Sequence, residues 1–115
     1  MNEFVEQNVS TINILRENLS KLSIINQTNI YNDQINTNLI KRFKKKFHIF
    51  FLDPPFADTN FINILETLKE SKIYKKNHII IVHRERKSKE DFRDIFKTVE
   101  IKQYGRSKII FGVFI

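Results

Sequence analysis

His48-Ile49-Phe50-Phe51-Leu52-Asp53-Pro54-Pro55-Phe56 is the stretch on which the reading of this chain turns. Residues 48–52 form a short run of apolar, β-branched and aromatic side chains, which predicts a buried strand of a parallel sheet. Pro54 and Pro55 have no N–H to donate, so they end strand pairing, and they hold Asp53 and Pro54 extended. The stretch therefore reads as a stiff loop at the carboxyl end of a strand, where open α/β sheets place ligands. The loop presents a carboxylate, carbonyls fixed by proline, and an aromatic ring. A carboxylate accepts a hydrogen bond from an exocyclic amine, a carbonyl accepts another, and the Phe56 ring can stack on a flat base.

Working outward, strands and helices alternate on both sides. Phe4-Val5-Glu6 reads as the end of a strand. Asn8 is placed to cap a helix over about 9–22, whose stripe is Ile12, Leu15, Leu19 and Leu22. Asn29-Ile30-Tyr31-Asn32 is a second short strand ending at Asp33. A helix bearing Ile35, Leu39 and Ile40 follows and runs into Lys41-Arg42-Phe43-Lys44-Lys45-Lys46. After the tetrapeptide, Asp58 or Thr59 caps a helix whose inward positions are Phe61, Ile62, Leu65 and Leu68. His78-Ile79-Ile80-Ile81-Val82 is a further strand. Ser88 and Asp91 have capping-box spacing and predict a short helix bearing Phe92, Ile95 and Phe96. Two closing strands, about 98–103 and 108–114, are joined by Tyr104-Gly105-Arg106-Ser107, with Gly105 free to take positive φ. The pattern is an α/β sheet with a C-terminal antiparallel hairpin, in one domain spanning 1–115.

Composition narrows the function. With 115 residues and 41% hydrophobic content the chain is globular, with room for one core. It has no cysteine, which excludes disulfides and cysteine-based metal sites. No apolar run approaches the ~20 residues of a membrane span, and the amino terminus lacks the form of a signal peptide. The cytoplasm is the default compartment, with neither membrane nor metal expected. The net charge of +7, with Lys+Arg 20 against Asp+Glu 13, points to a polyanionic partner such as nucleic acid. Codon usage in an A+T-rich genome is the competing source of lysine, since Ile, Asn, Lys and Phe all abound. His48 and His78 open strands and His83 closes one; without metal-ligand spacing they read as half-buried polar caps.

Three acids, Glu6, Asp33 and Asp53, each end a strand and line one edge of the expected sheet. An acid in such a place bonds ribose hydroxyls in dinucleotide-type folds, and Asp33 is placed to accept from an adenine amine. Asp53-Pro54-Pro55-Phe56 resembles the (Asp/Asn)-Pro-Pro-(Tyr/Phe) motif of amino-methyltransferases that use S-adenosylmethionine on DNA, RNA or glutamine. More widely, the chain resembles the RsmD-like guanine-N2 methyltransferases of small-subunit ribosomal RNA. The matching stretches are Phe4–Glu6, Ile14–Leu19, Asp33, Phe51–Phe56, Ile80–Glu85 and Lys102–Ser107.

The resemblance implies a Rossmann-like methyltransferase sheet, with Glu6, Asp33 and Asp53 at the cofactor S-adenosylmethionine. It also implies that Asp53, Pro54, Pro55 and Phe56 hold the target guanine, with ribosomal RNA or the assembling small subunit as partner. The chain departs from that pattern in two respects: its only glycines are Gly105 and Gly112, so the Gly-rich first strand and loop are missing, and the basic amino-terminal RNA-gripping segment is missing too. It therefore reads as the carboxyl-terminal part of such an enzyme, truncated before its first strand. That strand would sit between those at 2–6 and 48–52, which are accordingly not expected to pair with each other. Methylation of adenine in DNA or of glutamine, and an inactive RNA-binding remnant, remain as alternatives.

Overall fold

The structure is a computed structural model and describes residues 2–6, 9–22, 28–32, 37–55 and 60–115. These fall into two compact units, 1–36 and 37–115, each taken by itself.

The first unit is a β-α-β unit: β1 (Asn2–Glu6), α1 (Val9–Lys21) and β2 (Thr28–Asn32). The strands are parallel and in register from Asn2 opposite Thr28 to Glu6 opposite Asn32. Parallel strands require a crossover, and α1 supplies it. On α1, Ile12 and Leu19 are buried and Leu15 is half-buried, as the stripe predicts. Leu22 instead is exposed, because the helix ends at Lys21; its N–H still reaches the Asn18 carbonyl, but its side chain lies past the last turn. The expected cap Asn8 lies outside the described residues.

The second unit contains α2 (Thr37–Lys41), β3 (Phe47–Leu52), α3 (Phe61–Ser71), β4 (Tyr74–Glu85), β5 (Phe96–Tyr104) and β6 (Ser107–Phe114). Its sheet has the order β3-β4-β6-β5. β3 and β4 are parallel, joined across α3, and β6 runs antiparallel to both β4 and β5. Phe61, Ile64, Leu65 and Leu68 form one stripe of α3 and pack with Ile40, Phe50, Ile80, Val82, Ile110 and Phe114. Ile64 takes the inward place assigned from sequence to Ile62, which is only partly buried. The predicted caps Asp58 and Thr59, like Ile35, lie outside the described residues.

Two expectations are corrected. β3 is not buried on both faces: Phe50 is inward, but Ile49 and Phe51 are each 63% exposed. α3 covers one face of the sheet, and the period of two sends alternate side chains to the other. The predicted helix near 88–96 is absent. Ser88 Oγ donates back to the Glu85 carbonyl, Asp91 accepts from the Arg93 N–H, and Arg93 takes a φ of 53°. Both side chains thus serve local turns, and Phe96 already belongs to β5. His78 bridges strands: its Nδ1 is 2.7 Å from the Lys75 carbonyl, and its Nε2 accepts from the Phe114 N–H at 3.0 Å.

Gly105 turns the β5–β6 hairpin at a φ of +54°, as expected. Gly112 is needed for a different reason: a Cβ there would run into the Phe96 ring and the Lys97 carbonyl. Gly112→Ala is therefore expected to destabilise the protein by about 1–3 kcal/mol through overpacking. The measurement is the urea midpoint, and an unchanged midpoint would show that the ring moves aside freely.

Candidate active site

The register of β3 on β4 places Leu52 opposite Val82. The next residue on each strand, Asp53 and His83, are therefore neighbours at the carboxyl edge. Their side chains meet at 2.9 Å, from His83 Nδ1 to Asp53 Oδ1. The Asp53 side chain is 59% exposed and that of His83 26%. His83 was read from sequence as a half-buried cap; the fold makes it the partner of the acid on which the site turns.

The loop after Asp53 is held from beneath. The Pro55 carbonyl accepts a hydrogen bond from Arg84 Nη1 at 3.1 Å. Arg84 is only 3% exposed. Its guanidinium lies 4.5 Å from the centre of the Phe61 ring, and its Nε reaches Glu90 Oε2 at 3.3 Å. The other Glu90 oxygen accepts from Lys108 Nζ at 2.8 Å, and Lys108 also donates to the Ser88 carbonyl. Burial alone would push the Glu90 carboxyl up. Hydrogen bonds from Lys108 and Ser88, the Lys108 charge and the Arg84 hydrogen bond outweigh it and hold the group below its ordinary value.

The structure thus brings Asp53, Pro54 and Pro55 together with His83 and Arg84. Phe56 and Asp33 lie outside the described residues. Glu6 closes β1 opposite Asn32, the residue before Asp33, so the two parallel strands end side by side. Among the described residues, no cluster of three or more His, Asp or Glu is placed to hold a metal. An open depression of about 360 Å³, lined by Lys41, Phe43, Thr67, Glu70, Ser71 and Ile73, adjoins the amino end of β3, where Phe47 bonds the Ile73 carbonyl. It is at the wrong end of the strand to serve Asp53.

An acid in a proline-stiffened turn, at the carboxyl edge of a parallel strand pair, defines an α/β protein with its site at the sheet edge. The chain belongs to the family described as Conserved hypothetical protein 95, whose profile matches residues 2–113. No curated protein matches it by sequence. Its fold is similar to that of a conserved hypothetical protein of Streptococcus pyogenes, with a TM-score of 0.86 at 19% identity, covering 97% of this chain and 70% of that one. It is also similar to a Haemophilus influenzae protein, HI0767, inferred to be a methylase. There the TM-score is 0.74 at 23% identity, covering 96% and 70%. For an Escherichia coli protein, yhhF, inferred to be a methyltransferase, the values are 0.73 at 17%, covering 96% and 60%.

Arg84→Ala leaves Glu90 short of one buried partner and is expected to cost about 3–5 kcal/mol, read as a lowered denaturation midpoint. The Glu90 carboxyl is held low, so its contribution is fully present above its ordinary value of 4.5 and is lost as pH falls from there through the folded value. Glu90→Gln is expected to flatten the acid limb of a stability–pH curve; an unchanged limb would place the acid sensitivity elsewhere.

Proposed function

We propose that this chain carries the substrate-binding edge of an S-adenosylmethionine-dependent amino-methyltransferase acting on guanine N2 of small-subunit ribosomal RNA. The observation that supports this most is the Asp53 carboxylate: exposed, fixed by His83, and set just before a loop whose Pro55 carbonyl is pinned by Arg84. The names given to the Haemophilus and Escherichia proteins agree with methyl transfer.

Bound S-adenosylmethionine supplies a methyl group activated by a positively charged sulfur. In this reading Glu6 would hold the ribose hydroxyls of its adenosine half and Asp33 would accept from the adenine amine. Asp53 and the Pro54 carbonyl accept hydrogen bonds from the guanine amine. They orient its nitrogen and stabilise the positive charge that develops on it. Phe56 stacks on the base, which must leave its helix to arrive. The partner in this reading is ribosomal RNA or the assembling small subunit, in the cytoplasm. No helix among the described residues is long and apolar enough to cross a membrane. The sequence has glycine only at 105 and 112, too few for a Gly-rich loop at the methionine half, so the activity is assigned to a protein that also carries one.

Calorimetry on these 115 residues alone is expected to show weak S-adenosylmethionine binding or none; micromolar affinity would overturn that assignment of the missing loop. In a protein that carries the loop, transfer of labelled methyl from the cofactor to ribosomal RNA tests the chemistry. Asp53→Ala is expected to lower the rate by well over tenfold, more than ~1.4 kcal/mol, with the fold kept. A variant that retains a tenth of the rate would remove Asp53 from its role, and label on DNA or glutamine would change the acceptor.

A further inference from the structure

The carboxyl edge carries more than Asp53. β4 runs on into His83-Arg84-Glu85-Arg86-Lys87-Ser88-Lys89, and the hairpin turn is Lys102-Gln103-Tyr104-Gly105-Arg106-Ser107. The fold brings the two stretches together: Glu85 stands opposite Ser107, and Ser107 opposite Tyr104. The Arg86 N–H bonds the Arg106 carbonyl at 2.7 Å, and its guanidinium reaches the Gly105 carbonyl at 3.5 Å. Arg86, Lys87, Lys89, Lys102 and Arg106 are all exposed, and Tyr104 is 60% exposed. Glu85 is the only exposed acid on the two stretches.

One of these cations, Lys102, is also aligned with the acid. His83 stands opposite Ile109, and Ile109 opposite Lys102. Directly opposed residues share a face, so one row runs Asp53, His83, Ile109, Lys102 across four strands. Three strand spacings put its ends roughly 14 Å apart. Lys102 leans over the Phe111 ring, with its ammonium 6.0 Å from the ring centre. Cations spaced along an edge, with an exposed aromatic ring among them, are the chemistry that grips a single strand: charge for phosphates and a ring face for a base.

We infer that the β5–β6 turn and the end of β4 form a binding surface for single-stranded RNA, with Arg86, Lys87, Lys89, Lys102 and Arg106 on phosphates and Tyr104 stacked on a base. The inference rests on the proposed RNA substrate and specifies where its backbone lies beside the target nucleotide. The basic run at 41–46 adjoins the start of β3, the end away from Asp53, and does not supply this grip.

The test is fluorescence anisotropy with the 115-residue chain and a labelled single-stranded RNA of about 12 nucleotides, in a salt series without cofactor. R86Q/R106Q is expected to lose affinity at least tenfold and to flatten the salt slope by roughly 1.4, or ~0.7 per lost phosphate contact. K44Q/K45Q is expected to change affinity less than threefold. Y104A is expected to lose fivefold or more on RNA while binding heparin, a polyanion without bases, as the unaltered chain does. R86Q/R106Q with unaltered affinity, or a larger loss in K44Q/K45Q, would overturn the surface. Equal losses of Y104A on RNA and heparin would overturn the stacking role. Because binding is read without methyl transfer, a failed transfer assay with these results intact strikes only the proposed chemistry.

Discussion

The site depends on one buried arrangement of charge. Glu90 accepts from Lys108 through one oxygen and from Arg84 through the other, and Arg84 passes its remaining reach to the Pro55 carbonyl. An isolated ion at such depth would cost several kcal/mol, so each member holds the others in place. The consequence is directional. Arg84 lies on β4, Lys108 on β6 and Glu90 in the segment leading to β5, so three parts of the second unit are fixed to one loop. With two prolines and an anchored carbonyl, residues 53–55 have little freedom left. Geometry of that kind suits a binding site, whose value falls steeply with small displacements.

The sheet below has a polarity that matches this arrangement. β3 and β4 are parallel, so both deliver their last residues to one edge, and the β5–β6 turn comes to the same edge because β6 runs antiparallel to β4. A single edge therefore collects the acid, its histidine, the pinned loop and the exposed cations. The opposite end of β3 adjoins the solvated basic run and the open depression.

Much of this was legible in the sequence. The alternation of strands and helices, the ends of β1, β3 and β6, the positive φ at Gly105 and the strand-end position of Asp53 all follow from local pattern. What failed was local pattern where tertiary charge decides. Ser88 and Asp91 have capping-box spacing, but Glu90 is drawn inward by Lys108 and Arg84, and no helical turn forms there. The signal for that triad was present in another form. Ile80, Val82 and Arg84 share one period of two, as do Lys108, Ile110 and Phe114, which places two cations on the inward face of a sheet. Two inward cations require a buried anion, and a search for one would have met Glu90. β3 misled in the opposite way: an uninterrupted apolar run reads as buried on both faces, yet α3 covers only one.

The Asp53–His83 pair shows why exposure matters beside anchoring. A carboxylate sealed by two or three donors within the protein has nothing left to offer an incoming amine. Asp53 gives one oxygen to His83, and the other has no hydrogen-bond partner among the described residues. One contact orients the carboxylate, and in the proposed reading the other oxygen is the acceptor for the amine. His83 is well suited to that task because its ring is a compact, directed hydrogen-bonding group on a stiff strand, whereas a lysine in its place would bring a flexible stem. The same argument explains the division of labour along β4. The inward residue, Arg84, fixes the loop by its backbone, and its outward neighbour, His83, aims the side chain that precedes it. Successive residues of one strand thus control the backbone and the side chain of one site from opposite faces of the sheet.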